Sequence, residues 1–177
     1  MFAASAQSEE VWLTLQRDSG LAITGYTGIE TVVAIPETIN EAPVLAIGDK
    51  AFLRKLLTSV TIPAGVTTIG QFALAYNQLT GVALPASVTV IGRYAFANNS
   101  LTEMTFPNGV TSIEDFAFYL NRLISVTIPA NVAVGPKAID NSFAAFYTEN
   151  EKKAGTYTYA NNRWAYNAEI TLNADPD

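Results

Sequence analysis

Few residues in this chain can do chemistry, and most of those recur at a fixed spacing. The 177 residues include no histidine and no cysteine. The commonest general base, the commonest metal ligand, thiolate nucleophiles and disulfide staples are therefore all absent. Catalysis would have to run on carboxylates. Glu114-Asp115 is the adjacent acid pair within the regular part of the chain. Neighbouring side chains there are expected to face solvent, whereas carboxylates that cleave glycosides face one another roughly 5–10 Å apart. The expectation is a non-enzymatic chain with no cofactor and no metal.

Other recurring positions invite a binding role. Asn77, Asn99 and Asn121 share one column. Stacked asparagines satisfy the main chain of a tight internal turn, and that structural reading is preferred over a ligand site. Gly48, Gly70 and Gly92 share another column, whose next member is Glu114. A position that accepts Glu does not demand a glycine-only conformation, and the other features of a phosphate loop are missing. Near the C-terminus, alternation places Tyr157, Tyr159, Trp164 and Tyr166 on one face of a hairpin. Such a cluster serves either as a carbohydrate platform or as a cover over the open end of a core; the cover is preferred. Lys50, Arg54, Lys55, Arg93, Arg122 and Lys137 are read as a solvated ridge rather than a stripe for acidic partners.

The elements that carry these residues form an internal repeat. Pro63, Pro85, Pro107 and Pro129 step by 22, as do Leu57, Leu79, Leu101 and Leu123. Ile47, Ile69, Ile91 and Ile113 keep the step, and so do Phe52, Leu74, Phe96 and Phe118. Leu79-x-x-Val82-x-Leu84 has the L-x-x-L-x-L form of a leucine-rich repeat. Alternation turns Val82 and Leu84 inward and Gly81 and Ala83 outward. Pro85 lacks an N–H and ends the strand. Ser87-Val88-Thr89-Val90-Ile91 is β-branched and predicts a second short strand on the opposite wall. Tyr94-Ala95-Phe96-Ala97 reads as a helical turn that drops Phe96 into the core. One coil cannot bury these residues alone; stacked coils can. The predicted fold is a leucine-rich-repeat solenoid of about five coils.

Both ends depart from the repeat, as the ends of a solenoid must. Residues 10–30 predict a capping β-hairpin, with Val11-Trp12-Leu13-Thr14-Leu15 and Leu21-Ala22-Ile23-Thr24-Gly25-Tyr26 flanking a turn. The repeats occupy 31–140, with an insertion between Pro36 and Ile47. Residues 141–172 predict a second cap: a short helix begun by Asn141 or Ser142, then a hairpin turning at Asn161-Asn162. Residues 173–177 are expected to fray. Residues 1–9 are either an Ala-rich disordered start or, from Ala4-Ser5-Ala6, the remnant of an export signal.

The apolar fraction of 49% excludes wholesale disorder, and no apolar run is long enough to span a bilayer. A net charge of −6 gives no positive field for nucleic acid.

The units resemble the BspA-type, or treponemal-type, leucine-rich repeats of bacterial surface proteins. The family pattern stands here as Leu57 to Pro63, Val66 to Gly70, and Ala95-Phe96. The exit segment Lys152-Lys153-Ala154-Gly155-Thr156-Tyr157-Thr158-Tyr159 is similar to those of spirochaete members. The resemblance implies an exported protein at the cell surface, secreted or periplasmic, that works as a protein-interaction module. It implies adhesion to host or envelope proteins, or else a structural, self-associating role. It supplies no binding motif to carry over. Candidate contacts are the outward positions of the parallel strands, expected to form a concave face: Val32, Ala34, Ser59, Thr61, Gly81, Ala83, Glu103, Thr105, Ser125 and Thr127.

Overall fold

Each 22-residue unit takes the chain once around a shared apolar core, with one extended stretch on each of two walls. The computed structural model describes residues 11–17 and 19–167. The expected disordered start, Asp18 of the first turn, residues 168–172 of the second cap and the expected frayed tail lie outside the described residues. Along the chain come β1 (Trp12–Arg17), β2 (Gly20–Tyr26), β3 (Val32–Ala34), β4 (Thr38–Ile39), β5 (Ala42–Ile47), β6 (Ser59–Thr61) and β7 (Thr68–Ile69). Then follow β8 (Val90–Ile91), β9 (Glu103–Thr105), β10 (Ser112–Ile113), β11 (Ser125–Ile128) and β12 (Ala133–Val134). The helix α1 (Phe143–Glu149) and strands β13 (Gly155–Ala160) and β14 (Arg163–Asn167) close the C-terminal end.

The back wall is one sheet in the order β1-β2-β5-β7-β8-β10-β12, with β4 beside β5. From β2 to β12 its strands on this path are parallel, and Ile47, Ile69, Ile91, Ile113 and Val134 lie in register across it. Main-chain rungs tie each coil to the next. Gly70 donates to the Ile47 carbonyl, Gly92 to Ile69 and Glu114 to Ile91, at 2.7–2.9 Å. The four isoleucines are fully buried. Truncating one to Ala would cost about 2–5 kcal/mol, because both flanking coils hold the cavity open.

The segment between back and front walls differs from the expected helical turn. Ala95 N–H bonds to the Gly92 carbonyl and Ala97 N–H to that of Tyr94, which makes two successive tight turns. Tyr94 has φ 56°, at the position where a type II turn requires a positive value. Phe72 and Phe116 adopt the same conformation in the adjacent coils. For a bulky residue it costs about 1–2 kcal/mol. The three rings stack at 4.7 and 4.8 Å and nearly parallel, which returns about 0.5–1.5 kcal/mol per pair. Main-chain bonds to the next coil supply the remainder: Phe72 N–H to Arg93, Phe96 N–H to Ala117 and Phe118 N–H to Ala138. A helix would have kept those donors within its own coil.

The asparagine column satisfies the main chain of its turn, as expected, and also bridges coils. Asn99 Oδ1 accepts from Leu79 N–H at 3.0 Å, while its Nδ2 donates to the carbonyls of Leu74 and Phe96, both at 3.0 Å. Asn77 and Asn121 repeat the pattern. Each amide thus closes its own turn and clamps the coil before it. The glycine column has a different cause from a special φ, since none of Gly48, Gly70 and Gly92 is left-handed. A Cβ at Gly70 would sit 2.8 Å from the main chain of Gly48 and Asp49. At Gly92 it would sit 2.9 Å from Gly70. At Gly70 and Gly92 the main chain of the preceding coil stands where a Cβ would be, whereas the next coil accommodates Glu114 at the equivalent position.

The two caps seal different walls. The β1–β2 hairpin joins the back wall through β5, where Trp12 and Tyr26 lie over Phe52. The insertion after Pro36 is the β4–β5 hairpin, turned by left-handed Asn40 and Glu41. At the other end, β13 pairs with β11 and so extends the front wall. Ser142 is the helix N-cap by position but makes no side-chain cap. Asp140 does that work: its Oδ1 accepts from Ser142 and Phe143 N–H, both at 2.7 Å. Its Oδ2 accepts from Trp164 Nε1 at 2.8 Å, which ties the helix start to the hairpin. Tyr157 and Trp164 are buried against Phe143, and Tyr166 lies beside Tyr157. These aromatics cover the core.

Three stability predictions follow from this packing. Asn99→Leu removes a buried clamp and should lower the unfolding free energy by on the order of 3 kcal/mol. Several buried main-chain groups lose partners, at about 1–3 kcal/mol each; urea denaturation measures the loss. Asp140→Ala should loosen the C-terminal cap selectively, seen as a red shift of Trp164 fluorescence below the main unfolding transition. Burial, with smaller contributions from Tyr147 and Tyr166, pushes the Tyr157 hydroxyl up to about 12. A phenol that is harder to ionise when folded stabilises the fold fully below its unfolded value near 10, and that stability is lost as pH rises from 10 to 12. Circular dichroism of the aromatic bands should show the cap opening across that window.

Candidate functional site

The front wall is where the candidate contact residues fall, and it is not one continuous sheet. β3 pairs with β6, placing Val32 beside Ser59 and Ala34 beside Thr61. β9 pairs with β11, placing Glu103 beside Ser125 and Thr105 beside Thr127. In each strand the middle residue, Val33, Val60, Met104 or Val126, is buried, so the outward assignment of its neighbours agrees with alternation. Gly81 and Ala83 are exposed as well, but they belong to no strand.

That interruption departs from the repeat pattern. The coil whose sequence fits the leucine-rich motif best, Leu79 to Pro85, is the one without a front strand. Gly81 loses the most backbone freedom on ordering, and Gly81 and Ala83 offer no side chain for cross-strand packing. The coil is still held at Leu79, whose carbonyl accepts from Ser100 N–H and whose N–H reaches Asn99. Beyond it, residues 81–84 make no hydrogen bond. Val82 and Leu84 are half-buried, whereas their counterparts Val60, Ile62, Met104 and Phe106 are buried. The result is a groove of about 460 Å³ lined by Gly81, Val82, Ala83, Leu84, Glu103 and Thr105.

On its C-terminal side the front wall runs on into the cap. Ser125 faces Thr158 and Thr127 faces Thr156, with the hydroxyls of Thr127 and Thr156 2.8 Å apart. Thr156 and Thr158 therefore belong to the candidate face. Sequence reasoning did not include them: alternation opposite Tyr157 and Tyr159 is a signal for their outward position, but the pairing of β13 with β11 has no local sequence signal. The face is thus a strip of Ser, Thr, Ala and Gly with Val32 at one end. Glu103 is the sole charge among the predicted contact residues, and it makes no ion pair.

Several of the charged groups outside this face are held in local contacts. Glu114 accepts from the Arg93 N–H at 2.9 Å and Asp115 pairs with its guanidinium at 3.1 Å. Both carboxylates brace the preceding coil. Arg54 lies over the Tyr76 ring and Lys137 over Phe116. Among the described residues no cluster of three or more Asp or Glu could hold a metal ion, and no helix is long and apolar enough to cross a membrane.

Several solved structures share this architecture. A leucine-rich repeat protein from Bacteroides capillosus is 32% identical over 55% of this chain and 84% of its own, with a TM-score of 0.49. A leucine rich cell surface protein from Faecalibacterium prausnitzii is 23% identical over 93% of this chain and 61% of its own, with a TM-score of 0.51. A leucine-rich repeat protein from Eubacterium ventriosum is 23% identical over 86% of this chain and 45% of its own, with a TM-score of 0.56. The last two likenesses establish the fold. No curated protein matches the chain significantly. The BspA type leucine rich repeat region matches residues 33–162 in six copies. With that match over most of the chain and the repeats that carry it, the chain belongs to the family of BspA-type leucine-rich repeat proteins.

Proposed function

We propose that this chain is a non-catalytic protein-interaction module of an exported or cell-surface protein, and that it binds a host or envelope protein through the front wall. The observation that carries this reading is the wall's surface. Strands hold eight of the ten outward positions, in two separate registered pairs, most of the side chains are small, and the C-terminal cap prolongs the strip through Thr158 and Thr156. A flat face without long side chains lets a partner's main chain or sheet approach closely and loses little side-chain entropy on binding. The likeness to a Faecalibacterium protein described as a cell surface protein supports the location.

A second reading, a self-associating structural module of the envelope, is supported by the N-terminal end of the same wall. The outer edge of β3 has no strand beside it among the described residues, and Val32 and Ile29 near it are exposed. Open strand edges favour pairing between chains.

Thr61→Trp and Thr127→Trp, one on each half of the wall, should each weaken binding to immobilised matrix or envelope proteins at least tenfold by surface plasmon resonance. Both should leave the thermal midpoint within a few degrees of wild type. Binding that tolerates both variants removes the front wall from the account. A stable oligomer in light scattering that either variant dissociates favours self-association.

A further inference from the structure

The interrupted rung of the front wall is built unlike the rest of the solenoid. In a stacked coil, main-chain groups of the front strands are paired with the neighbouring coils, as in β3–β6 and β9–β11. Residues 81–84 bond to neither neighbour. The edge of β6 away from β3 and the edge of β9 away from β11 are unpaired with them. The unbonded main chain of residues 81–84 thus lines one side of the groove, with Glu103 and Thr105 of β9 on the other. Val82 and Leu84 add half-exposed apolar surface, and Gly81 has open space where a Cβ would stand. Glu103 stands on the rim without a counter-charge.

Rows of unpaired N–H and C=O groups are matched by another extended main chain, which offers both at the same repeat. We propose that the groove between residues 81–84 and β9 binds an extended segment of a partner protein. The segment pairs its main chain with residues 81–84, lays small or apolar side chains on Val82 and Leu84, and sets a Lys or Arg against Glu103. The inference rests on the front-wall reading above and names the chemistry of the partner. A second copy of this chain is a poorer occupant. Symmetric pairing across the groove would bring two copies of Glu103 together between chains of net charge −6 each.

Hydrogen exchange on the free protein is the first test. Amides 81–84 should exchange at least a hundredfold faster than those of Val60 and Met104; equal protection would overturn the proposal. The second uses a displayed library of random ten-residue peptides selected on the whole chain. Selected peptides should carry Lys or Arg within an alternating pattern and should protect amides 81–84. Their affinity should fall at least tenfold with Glu103→Gln, and likewise when alternate peptide residues are N-methylated. Failure to select any peptide that protects those amides overturns the proposal, as does indifference to both changes. So does a dimer in light scattering whose formation protects the same amides. If Thr61→Trp and Thr127→Trp weaken binding of a protein partner while Glu103→Gln leaves it unchanged, the front-wall reading stands and the strand-pairing inference falls.

Discussion

A single coil of this chain can neither bury its own apolar side chains nor pair its own main chain. Both needs are met by the coil beside it, and the hydrogen-bonded rungs between coils set the terms for the rest of the molecule. The donors of Phe52, Leu74, Phe96 and Phe118 all cross to the next coil. Because the rungs hold neighbouring coils at strand spacing, equivalent side chains must stack on one another. Phe96 lies on Phe118 at 5.1 Å, and the half-buried rings of Phe72, Tyr94 and Phe116 form a second column. The same spacing leaves no room for a Cβ at Gly70 or Gly92. It also explains why an asparagine recurs at the end of each turn, where one amide must satisfy donors and acceptors from two coils.

A structure held together this way has vulnerable ends, and this chain closes them asymmetrically. The N-terminal hairpin prolongs the back wall and the C-terminal hairpin prolongs the front wall. The front wall therefore gains Thr156 and Thr158 at one end and, among the described residues, keeps an open edge at β3 at the other. Both caps rely on aromatic residues: Trp12 and Tyr26 at one end, Phe143, Tyr147, Tyr157 and Trp164 at the other. Asp140 joins the parts of the second cap, one oxygen on the helix start and the other on the indole. The aromatic cluster of the second hairpin is thereby committed to covering the core.

The same dependence frames the candidate face. The core, the asparagine column and the turns use most recurring positions, which leaves the outward positions of the front wall among those free of a structural task. It is bland in composition, with Glu103 the charged exception among the predicted contacts. Its one irregularity is the unpaired stretch of residues 81–84, where the coil-to-coil rung fails on the front while the back wall and the asparagine clamp continue. A solenoid tolerates such a local loss because its stability is the sum of many neighbour contacts.

The repeat of 22, the core columns, the asparagine ladder and the Asn161-Asn162 turn of the last hairpin were legible in the residues alone. Each depends on local spacing or on a side chain with one dominant conformational use. The outward positions from Val32 to Thr127 were legible for the same reason, since alternation is a property of a single strand. Tertiary structure decided the rest. The turn at Tyr94 is left-handed rather than helical because its donors are claimed by the next coil. The glycine column answers to the close approach of another coil, which no single coil reveals. Asp140 acquired its role from Trp164, 24 residues away. Thr156 and Thr158 joined the front wall only when β13 paired with β11. The missing front strand at Gly81 and Ala83 was masked because the apolar motif there is intact; the small residues that weaken it tell only when set against the outward positions of the neighbouring coils.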